Sequence, residues 1–282
     1  MSHTQIDMKV EGNGSLPIVI SRTSTQSGDS RAEYALYNQA IAMPRLYFAS
    51  ESYDGEDWNC DSNETLFLTN RNLNRNNSRM LNTPITFMDG GVSIPFFSTD
   101  PLESPANISR FPSGADYVSH ANRYIDCIDQ NGDGYEDFTV FSPDGTKYIM
   151  GQGSGSSTSD TDGSQGNANL TFTTWRVTKV IDVHGNWLEY LYGSNGSNIW
   201  PAQHSSNYRD YPLTRIKAKD GREVKLTYTG TLQLVEALEL GTTKNRKVTY
   251  NIIDNYDGAG NSRLSVTYDD TYSRHYDCVG KH

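Results

Sequence analysis

The sequence predicts an all-β protein, because three features that favour β-structure occur together. Short segments alternate apolar and polar residues, turn dipeptides such as Asp-Gly and Gly-Asn separate them, and the 282 residues include 18 tyrosines and 24 glycines. Aromatic side chains bury a large area each, so a hydrophobic fraction of 35% suffices for a core. We expect a β-sandwich-like N-terminal part that continues into consecutive antiparallel β-hairpins.

The hairpin prediction rests on a turn followed by a strand that carries tyrosine. The pattern occurs three times, with turn glycines Gly145, Gly185 and Gly221 followed by strand tyrosines Tyr148, Tyr190 and Tyr228. Such dipeptides adopt the positive φ angles that two-residue hairpin turns require. After the third turn, alternation places Val224, Leu226 and Tyr228 on one face of the strand, which we expect to be buried. The residues 187–192 carry apolar side chains on both faces and predict a strand that is covered on both sides.

The remaining segments are assigned from local signals. Strands are expected at 16–22 and 45–49, a helix at 32–43 ending at Pro44, and a strand at 231–240. The residues 53–82 and 151–169 are polar and predict surface loops. Lys9 is the only lysine before Lys147, and this shift in composition suggests two domains, 1–125 and 126–282.

The sharpest chemical motif is an acidic loop at 129–137. Calcium binds six to eight oxygens, and loops of this kind supply them from positions 1, 3, 5, 7 and 9, with glycine at position 6. Val140 stands where a full EF-hand has its bidentate glutamate, so the pattern is typical of a short structural calcium loop. The predicted ligands are Asp129, Asn131, Asp133, the backbone carbonyl of Tyr135, and Asp137, with Gly134 at the turn. The alternative is a plain acidic hairpin turn.

Three cysteines, Cys60, Cys127 and Cys278, lack metal-ligand spacing, and their odd number leaves at least one without a partner in the chain. In an oxidising compartment we expect Cys60 to pair with Cys127. Three reduced, buried cysteines are the alternative.

Composition also excludes several functions. The net charge of −10 disfavours nucleic acids and anionic membranes as partners, and no run of about 18 apolar residues exists to cross a bilayer. The histidines show no ligand spacing, and no nucleophile elbow or zinc-protease motif is present. We therefore expect no catalytic residues and no cofactor other than calcium.

Three segments resemble the Rhs or YD-repeat proteins, in which tyrosine-bearing hairpins wind into a hollow β-shell. They are Phe141-Ser142-Pro143-Asp144-Gly145-Thr146-Lys147-Tyr148, the run from Trp175 to Asn186, and Leu213-Thr214-Arg215-Ile216 followed by Asp220-Gly221-Arg222. The resemblance covers about 138 to 270, while the strict Tyr-Asp-x-x-Gly-Arg unit does not occur. It implies the region before and at the beginning of the repeats of a bacterial protein that is secreted or on the cell surface.

Two functions follow. The resemblance implies a non-catalytic segment of a longer polypeptide that forms a shell around a C-terminal effector, as in polymorphic toxins, or serves in contact-dependent adhesion. The alternative is a self-contained, calcium-stabilised carbohydrate-binding β-module, in which Trp58, Trp200 or tyrosines stack on a cell-surface glycan.

Overall fold

The computed structural model contains nineteen β-strands among the residues that it describes. It describes residues 3–12, 16–24, 39–51, 85–89, 92–98, 111–112, 115–128, 137–150, 155–156, 170–193, 212–229, 234–253, 257, 262–269 and 272–278. The strands are β1 (His3–Val10), β2 (Ile18–Ser24), β3 (Gln39–Ile41), β4 (Arg45–Glu51), β5 (Ile85–Asp89), β6 (Val92–Ser98), β7 (Tyr117–Val118), β8 (Tyr124–Ile128), β9 (Asp137–Phe141), β10 (Lys147–Met150), β11 (Gly155–Ser156), β12 (Leu170–Ile181), β13 (Trp187–Tyr192), β14 (Leu213–Ala218), β15 (Glu223–Tyr228), β16 (Leu234–Leu240), β17 (Lys247–Ile253), β18 (Ser262–Tyr268) and β19 (Tyr272–Cys278).

The all-β prediction is confirmed, since every described element is a strand. The expected strands near 16–22, 45–49 and 231–240 correspond to β2, β4 and β16. The helix expected at 32–43 is wrong over Gln39–Ile41, where β3 pairs with β2, because strand pairing outweighs local helix propensity. Within the expected loop 151–169, Gly155 and Ser156 form the short strand β11. The expected loop 53–82 lies outside the described residues.

The chain divides into two compact units. Unit 1 comprises Met1–Met43, His184–Trp200 and Arg209–His282, and unit 2 comprises Pro44–Val183 and Pro201–Tyr208. The domain boundary expected between residues 125 and 126 lies within strand β8, inside unit 2.

Unit 1 contains two regions of β-sheet. One is the three-stranded sheet β1-β2-β3, and the other is a run of seven strands, β13 to β19, that pair antiparallel in chain order. The alternation predicted for β15 is confirmed at Val224 and Leu226, which are buried, while Lys225 between them is exposed. In β13, Leu188 and Leu191 are both buried although they lie on opposite faces, as expected for a strand covered on both sides.

In unit 2 the strand pairings form a closed circuit. Strands β4 to β10 pair consecutively, and β12 pairs with β10 through Ile181 to Val177 and with β4 through Leu170 to Arg176. Large apolar side chains fill the core of this unit and are less than 2% exposed. They are Leu46, Ile85, Phe87, Phe96, Ile125, Phe138, Met150 and Trp175.

No described helix is long and apolar enough to cross a membrane.

Candidate functional site

The structure places the predicted calcium loop as a hairpin connection. Its last ligand, Asp137, begins β9 and pairs with Ile128, the last residue of β8, so the two ends of the loop lie side by side. Asp129, Asn131, Asp133 and Tyr135 lie outside the described residues, as does the side chain of Asp137. Within the described part of the chain, no three His, Cys, Asp or Glu side chains lie close enough to hold a metal ion. The calcium site therefore stays a prediction.

Cys127 lies in β8 and is disulfide-bonded. This excludes the alternative in which all three cysteines are reduced. Cys60 and the side chain of Cys278 lie outside the described residues, so the Cys60–Cys127 pairing stays a prediction.

Two of the three repeated turns, those at Gly145 and Gly221, share one geometry, which differs from the predicted two-residue type. In the first, the Ser142 amide donates to the Thr146 carbonyl at 2.9 Å and the Gly145 amide donates to the Ser142 carbonyl at 3.0 Å. The turn that contains Gly221 repeats both bonds, at 2.8 and 3.1 Å. Each loop therefore has three residues, and only the glycine has positive φ, +82° at Gly145 and +88° at Gly221.

Aspartate supports these turns from within. Oδ1 of Asp144 accepts from the Thr146 amide at 3.0 Å, and Oδ1 of Asp220 accepts from the Arg222 amide at 3.3 Å. Such bonds are the reason for aspartate before glycine in the sequence. Among the strand tyrosines, Tyr228 connects neighbouring strands, since its hydroxyl donates to the Leu213 carbonyl at 2.7 Å.

The most tightly organised polar group of unit 1 is a carboxylate buried in its core. The side chain of Asp7 has no exposed area, and that of Arg22 is 1% exposed. Arg22 donates to Asp7 from Nε at 2.5 Å and from Nη2 at 2.8 Å. The hydroxyls of Tyr250 and Tyr268 donate to the same carboxylate at 3.1 and 3.2 Å, so each carboxylate oxygen accepts two hydrogen bonds. The four groups connect β1 and β2 to β17 and β18.

A β-bulge brings Asp7 into the core. Ile6 pairs with Ser21 and Met8 pairs with Ile20, so Asp7 is an extra residue in β1. The bulge turns Asp7 and Met8 inward together and leaves Ile6 54% exposed. Simple alternation does not reveal this site, because it places Ile6, Met8 and Val10 on one face and Asp7 on the other.

Two further arginines, from the part of unit 1 that contains β13 to β19, donate hydrogen bonds to backbone carbonyls of the segment that contains β1 and β2. Arg222 donates from Nη1 to the Val10 carbonyl at 2.8 Å and from Nη2 to the Leu16 carbonyl at 3.2 Å. Arg246 donates from Nη2 to the Lys9 carbonyl at 2.6 Å. Both guanidinium groups are held in place by carboxylates, Arg222 by Asp220 at 2.7 Å and Arg246 by Glu239 at 2.5 Å.

These ion pairs determine the acidity of their carboxylates. Partial burial acts to raise the pKa of Glu239, but hydrogen bonds from Thr242 and Arg246 outweigh it and hold this pKa below its usual value. The pKa of Asp220 is lowered in the same way, because the bonds from Arg222 outweigh desolvation. Burial raises the pKa of Tyr250 well above its usual value, and the charge of Asp7 adds to the effect.

A second polar group lies in unit 2. The Tyr148 hydroxyl donates to Oδ2 of Asp89 at 3.3 Å, and the Arg123 guanidinium lies 5.2 Å from the centre of the Phe87 ring. Burial raises the pKa of Asp89, although the Tyr148 bond and the charge of Arg123 oppose this. Burial and the charge of Asp89 raise the pKa of Tyr148 to about 12, so its hydroxyl stays a donor at neutral pH.

The chain was compared with known proteins. No protein-family model matches it, and no curated protein matches it. Among solved structures, the N-terminal domain of effector protein SpvB from Salmonella typhimurium strain LT2 is similar at 12% identity and a TM-score of 0.35, over 98% of this chain and 100% of that one. A complex of TcdB2-TccC3 with Cdc42 is similar at 10% identity and a TM-score of 0.47, over 98% of this chain. TcdB2-TccC3 without its hypervariable C-terminal region is similar at 11% identity and a TM-score of 0.42, over 92% of this chain. The chain spans 15% of the length of each of these last two.

Proposed function

We propose that this chain is a non-catalytic wall segment of a secreted or cell-surface Rhs-like bacterial protein, a shell for a C-terminal effector or a contact-dependent adhesin. The observation that carries the proposal is the run of seven strands β13 to β19, each paired to the next in chain order. A sheet of this kind grows by adding one hairpin after another, which suits a wall built from a repeated sequence pattern.

One face of this run of strands is apolar and buried, which gives the paired hairpins a core to pack on. The side chains of Val224, Leu226, Val248, Leu264 and Val266 are at most 3% exposed. The disulfide at Cys127 supports a location outside the cytoplasm, because disulfides persist in oxidising compartments.

The proposal includes a structural calcium ion held by the loop 129–137. The pairing of Ile128 with Asp137 supports it, since it brings both loop ends within reach of a single ion. If an EDTA-treated sample melts at the same temperature with and without millimolar calcium, the calcium part of the proposal fails. An Asp129→Ala, Asp133→Ala variant is the matched control and should not respond to calcium.

The shell hypothesis is tested with the full-length protein that the native reading frame encodes. We expect the sequence downstream of this segment to resist protease in the folded, full-length protein. It should become sensitive when Gly145→Val and Gly221→Val disrupt two turns, whereas Lys225→Ala, an exposed strand residue, should leave it protected. Downstream sequence that is digested equally fast in all three proteins contradicts the shell. Saturable binding on a glycan array, unaffected by these variants, instead supports the carbohydrate-binding alternative.

A further inference from the structure

The two parts of unit 1 are far apart in the sequence. We call strands β1 and β2, His3–Ser24, the docking hairpin. The face of β15 to β18 that carries Arg222, Arg246, Tyr250 and Tyr268 is the acceptor face. The whole of Pro44–Val183 lies between the two segments in sequence and belongs to unit 2.

The acceptor face binds the docking hairpin in a specific register. The bulge presents the Asp7 carboxylate at one position along β1, and Tyr250 and Tyr268 supply hydroxyl donors there. A hairpin shifted by one residue places an apolar side chain opposite both hydroxyls, so that both lose the hydrogen bond to Asp7.

Near the turn of the hairpin, recognition is through the backbone. Arg222 and Arg246 donate to the carbonyls of Lys9, Val10 and Leu16. Gly12 makes this close approach possible, because a Cβ atom there would lie 2.2 Å from Nη2 of Arg222. The hairpin is thus recognised at both ends.

We propose that the acceptor face binds the docking hairpin as a separable element and accepts it from a second copy of this chain. Every contact above is the same whether the hairpin belongs to the same molecule or to another. The hairpin of the same chain wins at ordinary concentrations, because its covalent attachment gives it a high effective concentration at the face. Docking between molecules is therefore expected when the chain's own hairpin is defective.

Two complementary full-length variants test this. Asp7→Ala disables the hairpin and keeps the acceptor face, while Tyr250→Phe with Tyr268→Phe weakens the face and keeps the hairpin. Only their mixture offers an intact hairpin and an intact face on different molecules. We expect at least about tenfold more heterodimer in the mixture than homodimer in either sample, by native mass spectrometry with one isotope-labelled partner. No excess of heterodimer overturns the proposal. A mixture of Asp7→Ala with a Lys225→Ala chain, whose own hairpin is intact, is the control and should stay monomeric.

A second experiment leaves every contact residue unchanged, so it remains decisive if a variant fails to fold. A protease site is placed between residues 25 and 38 of the full chain, and the folded protein is then cut. We expect the N-terminal fragment to co-elute with the remainder and to exchange with an excess of fluorescent fragment prepared from a second batch. Release of the fragment without rebinding, or no exchange at all, overturns the proposal. Because neither experiment involves a downstream effector, failure here leaves the shell hypothesis untouched.

Discussion

Replacing Asp7 by alanine should destabilise unit 1 more than any other single polar substitution described above. The change removes the acceptor of four hydrogen bonds at once and leaves Arg22, which is 1% exposed, as a buried charge without its counterion. Breaking a buried ion pair by deleting one partner costs about 3–5 kcal/mol. The tyrosine hydroxyls add to this, because a buried donor without an acceptor costs about 1–3 kcal/mol, although such terms do not simply sum.

The expected loss of unfolding free energy is therefore at least about 3 kcal/mol, which lowers the melting temperature by about 6 °C or more. Urea denaturation of wild type and Asp7→Ala measures it, with hydrogen exchange on peptides from β1 and β17 to follow unit 1. The double variant Asp7→Leu, Arg22→Met should recover most of the loss, since well-packed apolar residues can replace a buried ion pair at little cost. A loss below about 1 kcal/mol for Asp7→Ala, or a double variant no better than the single one, refutes the reasoning.

Other predictions concern turns and carboxylates. Gly221→Ala should cost about 1–2 kcal/mol, because φ is +88° but the space is open, whereas Gly241→Ala should cost more, since its Cβ would lie 2.2 Å from the Gly221 carbonyl oxygen; urea melts of the two variants compare them. Glu239 has a lowered pKa, so its ion pair stabilises the fold above the usual carboxyl pKa and this contribution is lost as pH falls through the lowered value. The difference in melting temperature between wild type and Glu239→Gln should thus be largest near neutral pH and should disappear below about pH 4. Asp89 has a raised pKa, so stability is highest while it is protonated and declines as pH rises through the raised value. The melting temperature of Asp89→Asn relative to that of wild type should therefore rise between acid and neutral pH. A difference in melting temperature that does not change with pH contradicts this.

Alternation and turn residues were enough to predict the strands that follow the turn glycines, β10, β13 and β15. Val224 and Leu226 are buried as the period of two requires, and the glycines mark the turns. The turn type was not predictable from Asp-Gly alone, because the pair fits both a two-residue turn and a three-residue turn in which only glycine has positive φ. The segment at Gln39–Ile41 forms a strand because β2 offers it hydrogen bonds, and pairing between distant segments leaves no local signal.

The buried polar site could not be predicted from the sequence, for a related reason. A bulge shifts the alternation of β1 by one residue, and only the pairing with β2 reveals that Asp7 points inward. Arg22 then appears as an ordinary strand residue until its partner is known. Tyr250 lies on the buried face of β17, but its role as a donor depends on a residue 243 positions away.

The closed circuit of pairings in unit 2 affects how this part of the protein behaves in a crowded solution. A sheet that ends in an unpaired strand offers free amide and carbonyl groups to any extended chain nearby, and this is a common beginning of aggregation. Strands β4 to β10 and β12 have no first or last member, since β12 pairs with both β4 and β10. Among the described strands, β19 pairs with β18 alone, β1 and β3 pair with β2 alone, and the two-residue strand β11 pairs with β12 alone. Foreign strands should therefore add at these edges and not within the circuit.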